Sequence, residues 1–199
     1  MSILHSRLLP LLLVAGGFPL LAQLGTSYFP QLADGGTDAQ RWTTNLTIIN
    51  TNAASTLAAI NLYGDDGNPL ALDFGNGPVS SFSITIPAYG SVTYKSAGTS
   101  PTTVTGWATL SSLLPLDGVI QFSYSTNGVP QQGVSAQATP ASDGFLSPAT
   151  ANTGIAVANV SLIPLPITVT VALIGANGQQ LTQTNLTVPF HGHQSRSIS

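Results

Sequence analysis

The sequence has no cysteine and no glutamate, and its charged residues, four Lys or Arg and seven Asp, fill 6% of 199 positions, against about 25% in an average globular chain. Each shortage removes a class of chemistry. Without thiols there are no disulfides, no cysteine nucleophile and no thiolate metal ligand, so packing and ladder hydrogen bonds must hold the fold. Arg7, Arg41, Lys95 and Arg196 are too dispersed to track a phosphate backbone, and the net charge is −3, so nucleic acid is not an expected partner. The Asp residues stand mostly beside Gly or Asn, where they read as turn formers, and acid-base chemistry has few candidates. Long apolar runs are scarce too. One extends from Leu8 to Leu21 behind His5 and Arg7, broken by Pro10, Gly16, Gly17 and Pro19. It is too short and interrupted for a span of about 20 residues, and Ala22 offers a small residue for cleavage. Residues 1–22 therefore read as a signal peptide, with an uncleaved anchor as the alternative because Leu20 fits the cleavage pattern poorly. Export is the expected route, and membrane contact is expected only through this segment if it is uncleaved.

What is present is a repeat. Leu46, Ile48 and Asn50 share one strand face, and Ala58, Ile60 and Leu62 alternate with polar or small neighbours on the next, a period of two. Gly64-Asp65-Asp66-Gly67-Asn68 makes a turn, Phe82, Ile84 and Ile86 return, and Pro87-Ala88-Tyr89-Gly90 turns into Val92 and Tyr94. The second copy runs from Ile155 to Ser199. Ile155, Val157 and Asn159 match Leu46, Ile48 and Asn50; Leu173 to Gly178 match Leu62 to Gly67; Leu186, Val188, Pro189 and Gly192 match Ile84, Ile86, Pro87 and Gly90. The composition, with 43% apolar residues, Thr- and Asn-rich strands and no helical period, predicts an all-β protein: an Ig-like antiparallel β-sandwich, duplicated, its second copy incomplete.

Along the mature chain, Gln23 to Arg41 reads as irregular, rich in turn residues at Ala33 to Asp38, with Trp42 opening the strands. After Tyr94 a further hairpin is expected, with Trp107, Thr109 and Leu110 on one arm and Val119, Ile120, Phe122 and Tyr124 on the other. The expected organisation is a β-sandwich domain over 28–139, a linker over 140–151 and a partial second domain over 152–199. Asn127 to Pro148 carries weak strand character near Gly133 to Ala138. The row Ile167, Val169, Val171 and Leu173 lacks a counterpart of the Trp107 to Tyr124 strands and needs another cover, so self-association or a protein partner at the second domain is expected. A continuation beyond Ser199 would make the chain a piece of a longer repeat protein.

Phe29-Pro30-Gln31, Asp34-Gly35-Gly36, Trp42-Thr43-Thr44, the Asp-rich Gly67-Asn68-Pro69 hairpin and the Ile84-Thr85-Ile86-Pro87-Ala88 return resemble a class of uncharacterised secreted bacterial Ig-like repeat proteins, and Phe29 to Thr126 follows that layout. More remotely, the strand order resembles the β-sandwich of the sensory-rhodopsin transducer family. These resemblances imply a fold and a secreted or envelope location in a bacterium. They imply no activity.

Several constellations could carry chemistry. His191 and His193 flank Gly192 and would point the same way on an extended strand, as a metal pair does, but no acidic residue is nearby in sequence to complete it; an exposed turn explains them as well. Asp65-Asp66-Gly67-Asn68 could open a calcium loop, yet Asn76 stands where a helix-loop-helix site needs a bidentate Glu, and a hairpin turn accounts for it. A hydrolase would need His191 or His193 to meet a Ser and an Asp in a cleft, and no Gly-x-Ser-x-Gly elbow is present. Trp42, Trp107, Tyr63, Tyr89 and Tyr94 could build a sugar platform if they lined one face. Asn45, Asn159 and Asn185 open glycosylation triplets of the kind that arise by chance in Thr- and Asn-rich strands. No catalytic, cofactor-binding or metal residue is therefore assigned and no cofactor is expected. The expected function is non-enzymatic: structure, adhesion or assembly at the cell surface or envelope, with glycan or peptide binding as the alternative.

Overall fold

A computed structural model describes residues 25–145, 147, 149 and 153–198. The expected signal peptide, 1–22, and parts of the expected linker lie outside the described residues. The described chain is all-β. In the first repeat, seven of the ten strands hydrogen-bond along one continuous path that folds over on itself into two layers, and an eighth, β7 (Ser91–Lys95), branches from it by pairing with β2 (Gln40–Ile49). One layer carries β6 (Ser81–Ile86), β3 (Thr56–Gly64), β8 (Val104–Ser112) and most of β1 (Gly25–Thr37), and the other carries β10 (Val129–Gln137), β9 (Asp117–Thr126), β2 and β7. A short β4–β5 hairpin (Leu72–Asp73 with Pro78–Val79), a separate ladder, lies in the connection from β3 to β6.

The period-two pattern sets the layers. In β3, Ala58, Ile60 and Leu62 are buried while Leu57 points out at 61% exposure. Leu46 and Ile48 of β2, Leu110 of β8 and Ile120 and Phe122 of β9 meet them, with Phe29 and Leu32 of β1, in one core. Each such side chain contributes about 1.5–3 kcal/mol by burial, so the alternation itself fixes which face turns inward.

Two expectations are overturned here. Gln23 to Arg41 is not irregular, because β1 occupies most of it. Its turn-like residues have other uses: the ladder to β8 is interrupted between Phe29 and Leu32, around Pro30, which has no N–H to give. Further on, Gly35 and Gly36 at φ +82° and +119° let β1 cross to the second layer, where Gly35–Thr37 pairs with β2. Buried polar groups secure the crossing. Thr44 exchanges hydrogen bonds with the Ala33 backbone, and Asp34 Oδ1 accepts from the Gly98 N–H. Nor do the Trp107 and Phe122 strands form a hairpin. β8 pairs with β1 and β3, β9 with β2 and β10, and the Pro115–Gly118 bend carries the chain from one layer to the other.

The second repeat reproduces two ladders of the first. β11 (Thr153–Ala158) pairs with β14 (His193–Ile198) as β2 pairs with β7, and β12 (Ile167–Ile174) pairs with β13 (Gln180–Val188) as β3 pairs with β6. The equivalence reaches individual hydrogen bonds. Asn50 and Asn159, both fully buried, donate Nδ2 to the carbonyls of Ile86 and Val188 and accept from the N–H two residues on. Asn50 N–H donates to Gly90 O and Asn159 N–H to Gly192 O. No described strand takes the place of β8 or β9 in the second repeat, and Ile167, Val169, Val171 and Leu173 are only half-buried.

Candidate interaction site at the joint between the repeats

The first repeat contributes the hairpin after β3. Gly64 N–H donates to Asn68 O and Gly67 N–H to Gly64 O, and Asp66 accepts from the Asn68 N–H at 3.0 Å and from Asn68 Nδ2 at 2.8 Å. Those donors hold the Asp66 carboxyl below the usual carboxylate range. Asp66 is thus occupied by its own turn. Asp65 is turned elsewhere, accepting from Thr105 Oγ1 and from His193.

The second repeat contributes the turn before β14. Gly192 N–H donates to Pro189 O, and His191 adopts φ +54°. This turn lies against the first repeat. His193 N–H donates to Asp65 O at 3.0 Å, its Nδ1 donates to Asp65 Oδ1 at 2.7 Å, and Trp107 Nε1 donates to His191 O at 2.8 Å. Trp107 itself stacks on Tyr63 at 4.6 Å, and the His191 ring lies 6.1 Å from Tyr63 and 6.4 Å from Trp107. Contact is close enough that a methyl on Gly67 would meet His191 backbone at 2.8 Å.

The two histidines are therefore not an exposed turn. His193 is 2% exposed, and His191 sits in a left-handed turn rather than on a strand, so the pair does not present two imidazoles to one ligand. Among the described residues no three His, Cys, Asp or Glu gather as a metal would need. His193 and Asp65 do reproduce two members of a hydrolase triad. The third is missing: Nε2, where a serine would bond, is buried with no hydrogen-bond partner among the described residues. An open cleft of about 450 Å³ beside the joint is lined by Asp65, His193, Arg196 and neighbours, and His193 offers it no reactive edge.

The five aromatics do not form a row. Trp107 and Tyr63 lie at the joint, Trp42 packs on Tyr124 at 4.9 Å, Tyr94 joins Phe74 and Phe82, and Tyr89 stands alone at 74% exposure. Of the glycosylation triplets, Asn159 is fully buried, Asn45 is half-buried in β2 and Asn185 is exposed.

No family model and no curated protein matches the chain. A crystal structure of Thermotoga maritima 1070 is similar over 58% of this chain and 93% of its own, at 13% identity and a TM-score of 0.42. A likeness that distant carries no functional information.

Sequence reasoning missed the Asp65–His193 bond, which spans 128 residues. A signal for it does exist in the repeat. Asp65 corresponds to Ala176 and His193 to Ser91, so each copy holds one member of the pair and lacks the other.

Proposed function

We propose that this chain is an exported, non-enzymatic, Ig-like β protein with a structural or assembly role at the bacterial cell surface or envelope. The observation that carries this reading is the joint. Of the few ionisable groups in the molecule, Asp65 and His193 bond one repeat to the other, and with Trp107 they fix the relative position of the units. The one Asp–His pair among the described residues that could have begun a catalytic site is occupied in holding the β units together, as an architectural protein requires. The alternative of a glycan platform draws less support, because its aromatics are dispersed.

Fractionation of the native host with N-terminal sequencing tests the reading. A mature chain beginning near Gln23 in the envelope or secreted fraction is expected. An intact Met1 in the cytosol would contradict it.

A further inference from the structure

Each repeat carries both halves of the joint, and in each one half is unused. The docking turn of the second repeat, Pro189–Gly192, is engaged; its counterpart Pro87–Gly90 is not. Tyr89 holds φ +53° where His191 holds +54°, Gly90 N–H bonds Pro87 O as Gly192 N–H bonds Pro189 O, and the Tyr89 ring projects into solvent at 74% exposure. Conversely, the receiving hairpin of the first repeat is engaged and its counterpart Gly175–Gln179 is not. Gly178 at φ +80° matches Gly67 at +81°, and Gly175 N–H bonds Gln179 O as Gly64 N–H bonds Asn68 O. Where Gly67 meets His191, however, nothing described lies within 4 Å of the equivalent point on Gly178. Ile174, in the place of Tyr63, is 49% exposed, and Leu181, beside Gly175, is 63% exposed.

We propose that the Pro87–Gly90 turn of one molecule docks on the Gly175–Gln179 hairpin of a second copy, repeating between molecules the joint that links the repeats within one. The chemistry of the two free halves agrees. The projecting Tyr89 ring meets an apolar platform of Ile174 and Leu181 in place of Tyr63 and Trp107. Ser91 and Ala176 replace His193 and Asp65 together, so docking strands no charge. The Ser91 N–H takes the part of the His193 N–H and the Ala176 carbonyl that of Asp65. Because the two surfaces differ, the contact is heterologous and propagates head to tail unless its rotation closes a ring. Trp107 and Thr105 have no described counterpart beside the second hairpin, so the contact is smaller than the joint and its association weaker and concentration-dependent.

This inference rests on the assembly reading, and its test is separate from localisation. The full chain, purified from its host, is examined by sedimentation velocity over a hundredfold concentration range. A weight-average sedimentation coefficient that rises with concentration is expected. Tyr89→Asn, which keeps a residue tolerant of positive φ, and Ile174→Asp each abolish the rise, and an equimolar mixture of the two stops at a dimer, since each retains one working half. The double substitution Ser91→His with Ala176→Asp supplies the polar pair found in the joint and shifts association to at least tenfold lower concentration. A chain monomeric at every concentration, or an assembly indifferent to both single substitutions, would overturn the proposal whatever compartment the protein occupies.

Discussion

Replacing His193 by Ala removes a buried ring and leaves a cavity at the joint, at an expected cost of about 2–4 kcal/mol in a urea melt. Asp65→Ala should cost less, because water can reach the vacated position: the side chain of Asp65 is 54% exposed where that of His193 is 1%. Asp66, one residue on, behaves differently. Its carboxyl is held low by Asn68, so its contribution is complete above about pH 5 and fades as pH falls through the depressed folded value. Asp66→Asn, which copies Asn177, should leave stability at pH 7 nearly unchanged and flatten that acid limb; a melting point that dropped by many degrees at pH 7 would show that the charge does more than close the turn. At this scale the sequence was informative about turn residues, since Asp66 and Asn68 bond within three positions of each other. It was silent on His193, whose partner is adjacent only in the folded chain.

At the scale of elements, strand faces were legible because alternation is a local property: Leu46, Ile48, Ala58, Ile60 and Leu62 all face inward as their spacing requires. Strand partners were less so. β1 is hidden by Pro30 and by Asp34-Gly35-Gly36, which serve a break in the ladder and a crossing between layers rather than a loop, and β8 and β9 have the sequence pattern of a hairpin because adjacent apolar strands usually pair. The matched hairpins supply an internal control. Gly67→Ala and Gly178→Ala impose the same strain at positive φ, about 1–2 kcal/mol, but only at Gly67 does the new methyl strike His191. In dilute solution Gly67→Ala should therefore destabilise by clearly more than Gly178→Ala, as read from thermal melts. Equal effects would mean that the joint is not closed in solution.

Over the whole molecule, the repeats are unequal partners. The first has two layers and a continuous core, whereas the second has two separate ladders, with Leu186, Val188 and His193 buried but the β12 row half-exposed. Residues 28–140 expressed alone should fold cooperatively, and 152–199 alone should be unfolded or aggregated; a cooperative monomeric melt of the shorter segment would show that it needs no support from its neighbour. The central claim is that the His191 turn is seated on Trp107, and hydrogen exchange of the indole N–H groups measures it most directly. The two tryptophans give one signal each. Trp107 Nε1–H, buried and donated to His191 O, should exchange only on large-scale unfolding in the full chain and much faster in a chain cut after residue 145, while half-buried Trp42 changes little. A Trp107 indole proton that exchanges equally fast with and without the second repeat would contradict the account.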